Sequence, residues 1–300
     1  MRKEVTELLA PKGYEDIEEK VLAKERLTRE DGVRLFDCKN IAWLGALADH
    51  VRCEKCGDVV YYNVNCHVNL TNICRAHCKF CAFGRDAEDK GAYEMEAADA
   101  VAVVEDAMKD PHLAGLHVVS GLHPEWSFDD YLARLRALHE RFPKLYLKGF
   151  TGVEITHFSK ISGLSVREVL QKLKAAGLDA IAGGGAEILS DRIREELCPN
   201  KATAKEWLDA ARTAHELGIK SNASMLYGHI ETLAERVDHL LALRSLQDET
   251  GGFQTFICFP FLPKNTALAA ESGISQTSMW DDLRTMAISR LMLDNFTNIK

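Results

Sequence analysis

From residue 68 onward the chain repeats one phrase. A short apolar run gives way to a polar or glycine-rich turn, and a stretch with helical spacing follows. The runs are Val68-Asn69-Leu70-Thr71, Leu116 to Ser120, Leu145 to Phe150, Leu178 to Ala182, Lys220 to Met225 and Phe253 to Phe259. Capping boxes mark three of the helix starts: Ser165-x-x-Glu168, Thr203-x-x-Glu206 and Thr232-x-x-Glu235. Strands alternating with helices build βαβ units and a parallel sheet. At this repeat count the expected fold is α/β, a (β/α) TIM-type barrel of about six βα units.

The two ends of the pattern differ. Residues 3 to 51 read as helices, with Ile17, Val21 and Leu22 interleaved with charge and an apolar stretch from Ile41 to Ala48. We expect residues 1–58 to form a helical extension packed on one end of the core, with the barrel over 59–300. Val59 to Val64 reads as a strand at that junction. At the other end, a helix from about Met279 to Asn295 leads into Phe296-Thr297-Asn298-Ile299-Lys300, which reads as the start of a seventh strand. The expectation is a barrel shortened from a fuller one, with an exposed apolar edge there.

Composition narrows the function. Three hundred residues that are 46% hydrophobic bury a large core. A net charge of −8 argues against nucleic acid or an anionic membrane as the main partner. The first residues lead into no long apolar run, so neither signal peptide nor membrane span is expected. Nine cysteines, an odd number in a chain of this length, fit a reducing compartment, and we expect a cytoplasmic protein.

The chemistry gathers at Cys74-x3-Cys78-x2-Cys81, with Phe80 just before the last cysteine. A structural zinc site closes with four ligands, and a [4Fe–4S] cluster held entirely by protein also takes four cysteines. Three thiols therefore suggest a cluster with one iron open to an outside ligand, against the alternative of a zinc knuckle or a buried cysteine cluster. Cys53-x-x-Cys56 reads as incidental thiols, half a metal site or a redox pair; Cys38, Cys66 or His67 would have to complete a metal site. Cys198, before Pro199, and Cys258 read as structural.

The cysteine motif with its aromatic residue resembles the signature of the radical S-adenosylmethionine (SAM) superfamily. That resemblance implies a [4Fe–4S] cluster on Cys74, Cys78 and Cys81, and SAM chelated at the fourth iron and cleaved by one electron to methionine and a 5′-deoxyadenosyl radical. It also implies SAM contacts from Phe80 and from the turns at the C-terminal ends of the strands. Those turns are Ser120-Gly121-Leu122-His123-Pro124, Thr151-Gly152-Val153-Glu154, Gly183-Gly184-Gly185-Ala186-Glu187 and Ser224-Met225-Leu226-Tyr227-Gly228-His229-Ile230-Glu231. Ser120, Gly121, Gly184 and Leu226 are the expected SAM neighbours. Glu154 and Glu187 read equally as ribose-holding groups or as surface carboxylates. His123 and His229 are the expected pocket residues with a catalytic part, against the alternative that each is a satisfied structural histidine.

Taken in order over some two hundred residues, these stretches with Lys148-Gly149-Phe150 and Gln247 to Phe253 resemble the aminodeoxyfutalosine synthase family. Its relatives, cyclic dehypoxanthine futalosine synthase and F0 synthase, share much of the pattern. The resemblance implies addition of the adenosyl radical to 3-[(1-carboxyvinyl)oxy]benzoate, a dicarboxylate enol ether derived from chorismate, in menaquinone biosynthesis. A flavodoxin- or ferredoxin-type donor would supply the electron. His123, Lys148, His157, Arg192 and His229 are the candidates for holding the carboxylates. The non-enzymatic alternative is an Fe–S electron carrier or a structural metal protein.

Overall fold

The computed structural model describes residues 10–300, so the first part of the expected helical stretch, residues 3–9, lies outside the described residues. Three helices come first: α1 (Glu15–Leu22), α2 (Arg29–Asp37) and α3 (Ile41–Cys56). The sheet is built from β1 (Asn65–Asn69), β2 (Gly115–Val119), β3 (Tyr146–Thr151), β4 (Ala180–Ala182), β5 (Lys220–Tyr227), β6 (Phe253–Pro260) and β7 (Asn298–Ile299). Between the strands run α4 (Ala97–Ala107), α5 (Phe128–Arg141), α6 (Gly152–Ser162), α7 (Val166–Ala175), α8 (Asp191–Leu197), α9 (Ala204–Glu216), α10 (Leu233–Thr250), α11 (Ala267–Ser272) and α12 (Met279–Met292).

Every neighbouring pair of strands is parallel and the strand order follows the sequence, β1 to β7, as an α/β barrel requires. The expected capping boxes form: Ser165, Thr203 and Thr232 each accept a hydrogen bond from the N–H of the glutamate three residues on, which bonds back. Thr28 and Asp31 do the same at the start of α2. Alternation along the strands sends Val68, Leu116, Val118, Leu147 and Ile181 outward into the helical layer. The residues between them face the barrel axis.

Three expectations change. The run Val59 to Tyr62 is not a strand but exposed, irregular chain that passes the N-terminal ends of β3 and β6 near Tyr146 and Gln254. It has strand-like residues, but no described strand pairs with it. The N-terminal helices lie along the flank of the barrel, α3 against α12 and α2 against α10, instead of on one end. Arg26 clips the loop before α2 to this flank, bonding both oxygens of Asp248 at 2.5 and 2.6 Å and Asp294 at 2.9 Å. Exposed apolar surface near the end of the chain lies mainly on α12, through Met279, Trp280, Leu283 and Met286, and also at the end of β6, through Phe259 and Leu262.

Candidate active site

The cysteine loop leaves β1 and is stitched to the turn after β2. Gly121 N–H donates to Thr71 C=O (2.8 Å) and Arg75 N–H to Leu122 C=O (3.0 Å). Two sulfurs are hydrogen-bonded by backbone: Leu122 N–H donates to Cys74 Sγ (3.3 Å) and Gly84 N–H to Cys81 Sγ (3.4 Å). Such donors favour the thiolate that a metal or cluster needs. Gly121 has no room for a side chain, because a Cβ there would lie 2.3 Å from the Ile73 carbonyl oxygen. All three thiols, with Phe80, line one cavity of about 480 Å³ at the C-terminal ends of the strands.

Ser120, Gly121 and Glu154 line the same cavity. Ser120 Oγ is buried there without a hydrogen-bond partner among the described residues. Glu154 is buried, which removes the surface-carboxylate reading. Its two oxygens accept the N–H groups of Ser120 and Thr151, both at 2.7 Å, so one carboxylate ties the β2 turn to the start of α6. Each oxygen keeps a second lone pair for the cavity. Glu187 is also buried but stands outside the cavity wall, paired with Lys201 Nζ at 2.6 Å; it is Lys201 that reaches the cavity. Burial works to raise the Glu187 carboxyl, and the Lys201 ammonium outweighs it and holds the group below the ordinary carboxylate range.

In the triple-glycine turn the cavity residue is Gly185, at φ +81°, and not Gly184. Gly183 is required by the neighbouring strand, since a Cβ there would lie 2.6 Å from the Asn222 carbonyl carbon. Gly184 accepts a hydrogen bond from Trp207 Nε1 (3.0 Å). Leu226 is half-buried, its N–H bonded to Glu187 C=O at 3.1 Å, and it does not line the cavity.

Neither expected pocket histidine faces the cysteines. His123 is buried beside the turn, with Nδ1 accepting the N–H groups of Glu125 and Trp126 (both 3.1 Å) and Nε2 set 2.5 Å from Glu94. His229 has a wholly buried ring, 2.9 Å from Glu231 through Nδ1 and 3.0 Å from Leu226 C=O through Nε2. Both rings are spent on shaping turns. Of the other carboxylate candidates, Arg192 is exposed and paired with Glu235 (2.7 Å), and His157 opens onto a separate cavity with Arg75 and Lys160. Lys148 faces the barrel axis.

Two residues near the cysteines were not legible in the sequence. Lys201 follows an irregular turn with no motif, and only the fold carries it to Glu187 and to 5.3 Å from the Phe80 ring centre. Cys198, at the C-terminal end of α8, is buried as expected, but its sulfur also hydrogen-bonds that of Cys78. That bond and burial push the Cys78 thiol up. Cys53 and Cys56 lie far from this site on α3, free thiols with separate partners, the Arg52 guanidinium at 2.7 Å and the Thr297 carbonyl at 3.8 Å.

The family profile described as the Radical SAM superfamily matches residues 68–243, which takes in the cysteine loop and the strands from the end of β1 through β5. The chain belongs to the radical SAM superfamily. Among curated relatives it is similar to an aminodeoxyfutalosine synthase of Thermus thermophilus, 48% identical over 95% of this chain and 76% of the relative. It is likewise similar to one of Streptomyces coelicolor, at 44% over 95% and 75%. A 5-amino-6-(D-ribitylamino)uracil–L-tyrosine 4-hydroxyphenyl transferase of Methanococcoides burtonii is 38% identical over 90% of this chain and 75% of its own length. Among solved structures, methylornithine synthase (PylB) superposes with a TM-score of 0.72 at 17% identity, covering 93% of this chain and 77% of that one. The FeFe-hydrogenase maturase HydG of Carboxydothermus hydrogenoformans superposes at 0.75 and 18% identity, covering 95% and 64%. At such identities these two show the shared fold alone.

A radical SAM enzyme uses a [4Fe–4S] cluster and SAM, and its residues here fit both. Cys74, Cys78 and Cys81 line one cavity with Phe80 and the β2 turn. Three thiols on one cavity suit three irons of a cluster with the fourth left open. The partnerless Ser120 hydroxyl and the bare Gly121 backbone suit a polar ligand lying against the β2 turn. No helix among the described residues is long and apolar enough to cross a membrane.

Glu154 makes the site sensitive to pH. Burial raises its carboxyl to about 7, against the pull of Thr151, the Ser120 N–H and Lys201. Because the folded state holds this proton more tightly than the unfolded chain, stability falls as pH climbs from the ordinary 4.5 toward 7. The cost reaches on the order of 3 kcal/mol above that range. Glu154→Gln removes the titration. Relative to wild type, the variant is expected to gain thermal stability between pH 5 and pH 8, and parallel melting curves at the two pH values would contradict the assignment.

Proposed function

We propose that the enzyme adds the 5′-deoxyadenosyl radical of SAM to 3-[(1-carboxyvinyl)oxy]benzoate, forming 6-amino-6-deoxyfutalosine for menaquinone biosynthesis. The observation that carries this reading is the 48% identity, over nearly the whole chain, to the Thermus thermophilus aminodeoxyfutalosine synthase. When bound, the cluster supplies the electron that splits SAM into methionine and the radical. Cys74, Cys78 and Cys81 are the cluster ligands in this reading, with backbone N–H bonds to Cys74 and Cys81 stabilising their thiolate forms.

The remaining residues solve a positioning problem, since radical addition needs the 5′ carbon held close to the alkene. Ser120 donates its free hydroxyl to SAM, Glu154 fixes the turn that carries Ser120, and Phe80 and Gly121 shape the wall that excludes water. The reaction belongs in the cytoplasm, with a flavodoxin- or ferredoxin-type protein as donor.

A second reading follows from the 38% identity to the archaeal tyrosine 4-hydroxyphenyl transferase. Anaerobic reconstitution followed by mass spectrometry separates the two. With SAM, dithionite and the enol ether, the expected product is an adenosine–substrate adduct with loss of the carboxylate as bicarbonate or CO₂. Release of 5′-deoxyadenosine instead of an adduct would indicate hydrogen abstraction. Turnover of L-tyrosine with 5-amino-6-(D-ribitylamino)uracil, and none of the enol ether, would replace the proposal with the second reading.

A further inference from the structure

The inner face of the first three strands carries a row of basic side chains. His67 on β1 stands in register with His117 on β2, which stands in register with Lys148 on β3. Their neighbours Val68, Leu116, Val118 and Leu147 point outward into the helical core, so the row faces the axis. The imidazoles of His67 and His117 lie with ring centres 4.2 Å apart. His67 lines the cavity that holds the three cysteines, and Lys148 opens onto a second cavity at the opposite mouth of the barrel. The row therefore forms a floor between the two.

No acid among the described residues bonds to it. Lys148 and the two imidazoles make no side-chain hydrogen bond or ion pair with any described residue. Burial holds His117 at about 4, with further repulsion from His67 and Lys148, and Lys148 itself sits below the usual lysine range through burial and Lys300. Asp58, the acid lining the lower cavity, acts on Arg52. A half-buried Lys148 without a counter-charge is costly to the folded chain, and an anion arriving from the cysteine cavity, met by the imidazoles as well, would relieve that cost.

We propose that the His67–His117–Lys148 row seats the ring carboxylate of the substrate, an inference that rests on the enol-ether reading above. The reacting alkene has to lie at the cysteine end, and its own carboxylate is attached beside it. The benzoate carboxylate is the group that reaches deepest. The row lies one inward-facing residue below Asn69, about 6.6 Å further down β1. A basic floor at that depth selects a rigid aromatic acid over a neutral ring.

The decisive comparison uses reconstituted holoenzyme with the enol ether and with its analogue built on phenol, which lacks the ring carboxylate. Wild type is expected to show a KM about tenfold or more higher for the analogue. Lys148→Met is expected to show a similar rise for the true substrate, no further rise for the analogue, and a smaller effect on kcat. Lys148→Arg should recover most of the loss, and equilibrium binding without reductant should follow the same ranking. Equal KM values for the two compounds on wild type would overturn the inference without any variant. So would a Lys148→Met enzyme that still discriminates as wild type does. If wild type forms no adduct from the enol ether at all, the enol-ether reading fails first and this inference falls with it.

Discussion

Alanine at Cys74, Cys78 or Cys81 is expected to abolish both the cluster and turnover. Each thiol lines the same cavity, and each would ligate a separate iron. Loss of a partner behind a metal ligand costs ~10–100-fold in affinity or activity, and loss of the ligand itself should exceed that. Iron content and the visible charge-transfer absorbance after anaerobic reconstitution read the result directly. Cys198→Ala is the informative contrast. Its sulfur touches Cys78 yet belongs to the end of α8, so the variant is expected to keep the iron stoichiometry of wild type. Full iron loading of Cys78→Ala, or iron loss from Cys198→Ala equal to that of the three, would show that the ligand set is drawn wrongly.

Lys201→Met should produce the largest loss of stability. The variant leaves Glu187, with side-chain exposure of only 11%, without its ion-pair partner and with the more distant Arg194 still acting on it. Removing one member of such a pair costs about 3 kcal/mol, because the stranded carboxylate must stay ionised in a poor solvent or take up a proton. The linkage has a definite sign. Glu187 is held below its ordinary value, so the pair stabilises the fold at neutral pH, and that contribution fades as pH falls through the carboxylate range. The melting temperature of Lys201→Met is expected to drop on the order of 10 °C at pH 7, with a smaller drop at pH 4. Adding Glu187→Leu should restore much of the loss, since replacing both partners removes the stranded charge. A Lys201→Met protein that melts like wild type would mean the pair contributes nothing net.

What the sequence disclosed follows physical scale. The period-two and helical patterns between residues 68 and 295 are local, so strands, helices and capping boxes were all legible. The three cysteines are close in sequence and announced themselves for that reason. Long-range partnerships were not legible. His123 and His229 look like pocket residues because they occupy ligand-end turns, and only coordinates show their nitrogens turned back to Glu94, Glu231 and backbone. Lys201 and Cys198 reach the site across a loop that carries no pattern of its own. The run Val59 to Tyr62 has strand composition, but composition cannot say whether a strand will pair with it. The row of His67, His117 and Lys148 was readable in principle, as one inward position on each of three strands, once the register between those strands is known.

The fit at Gly121 bears on how such a barrel can be rebuilt. With its backbone pressed on the Ile73 carbonyl, and Leu122 bonded to both Arg75 and the Cys74 sulfur, the two turns share a seam with no slack. A graft that imports the cysteine segment from a relative while leaving the host's residues 120–122 in place would join halves of two different moulds. The two segments have to be transplanted as a single cassette.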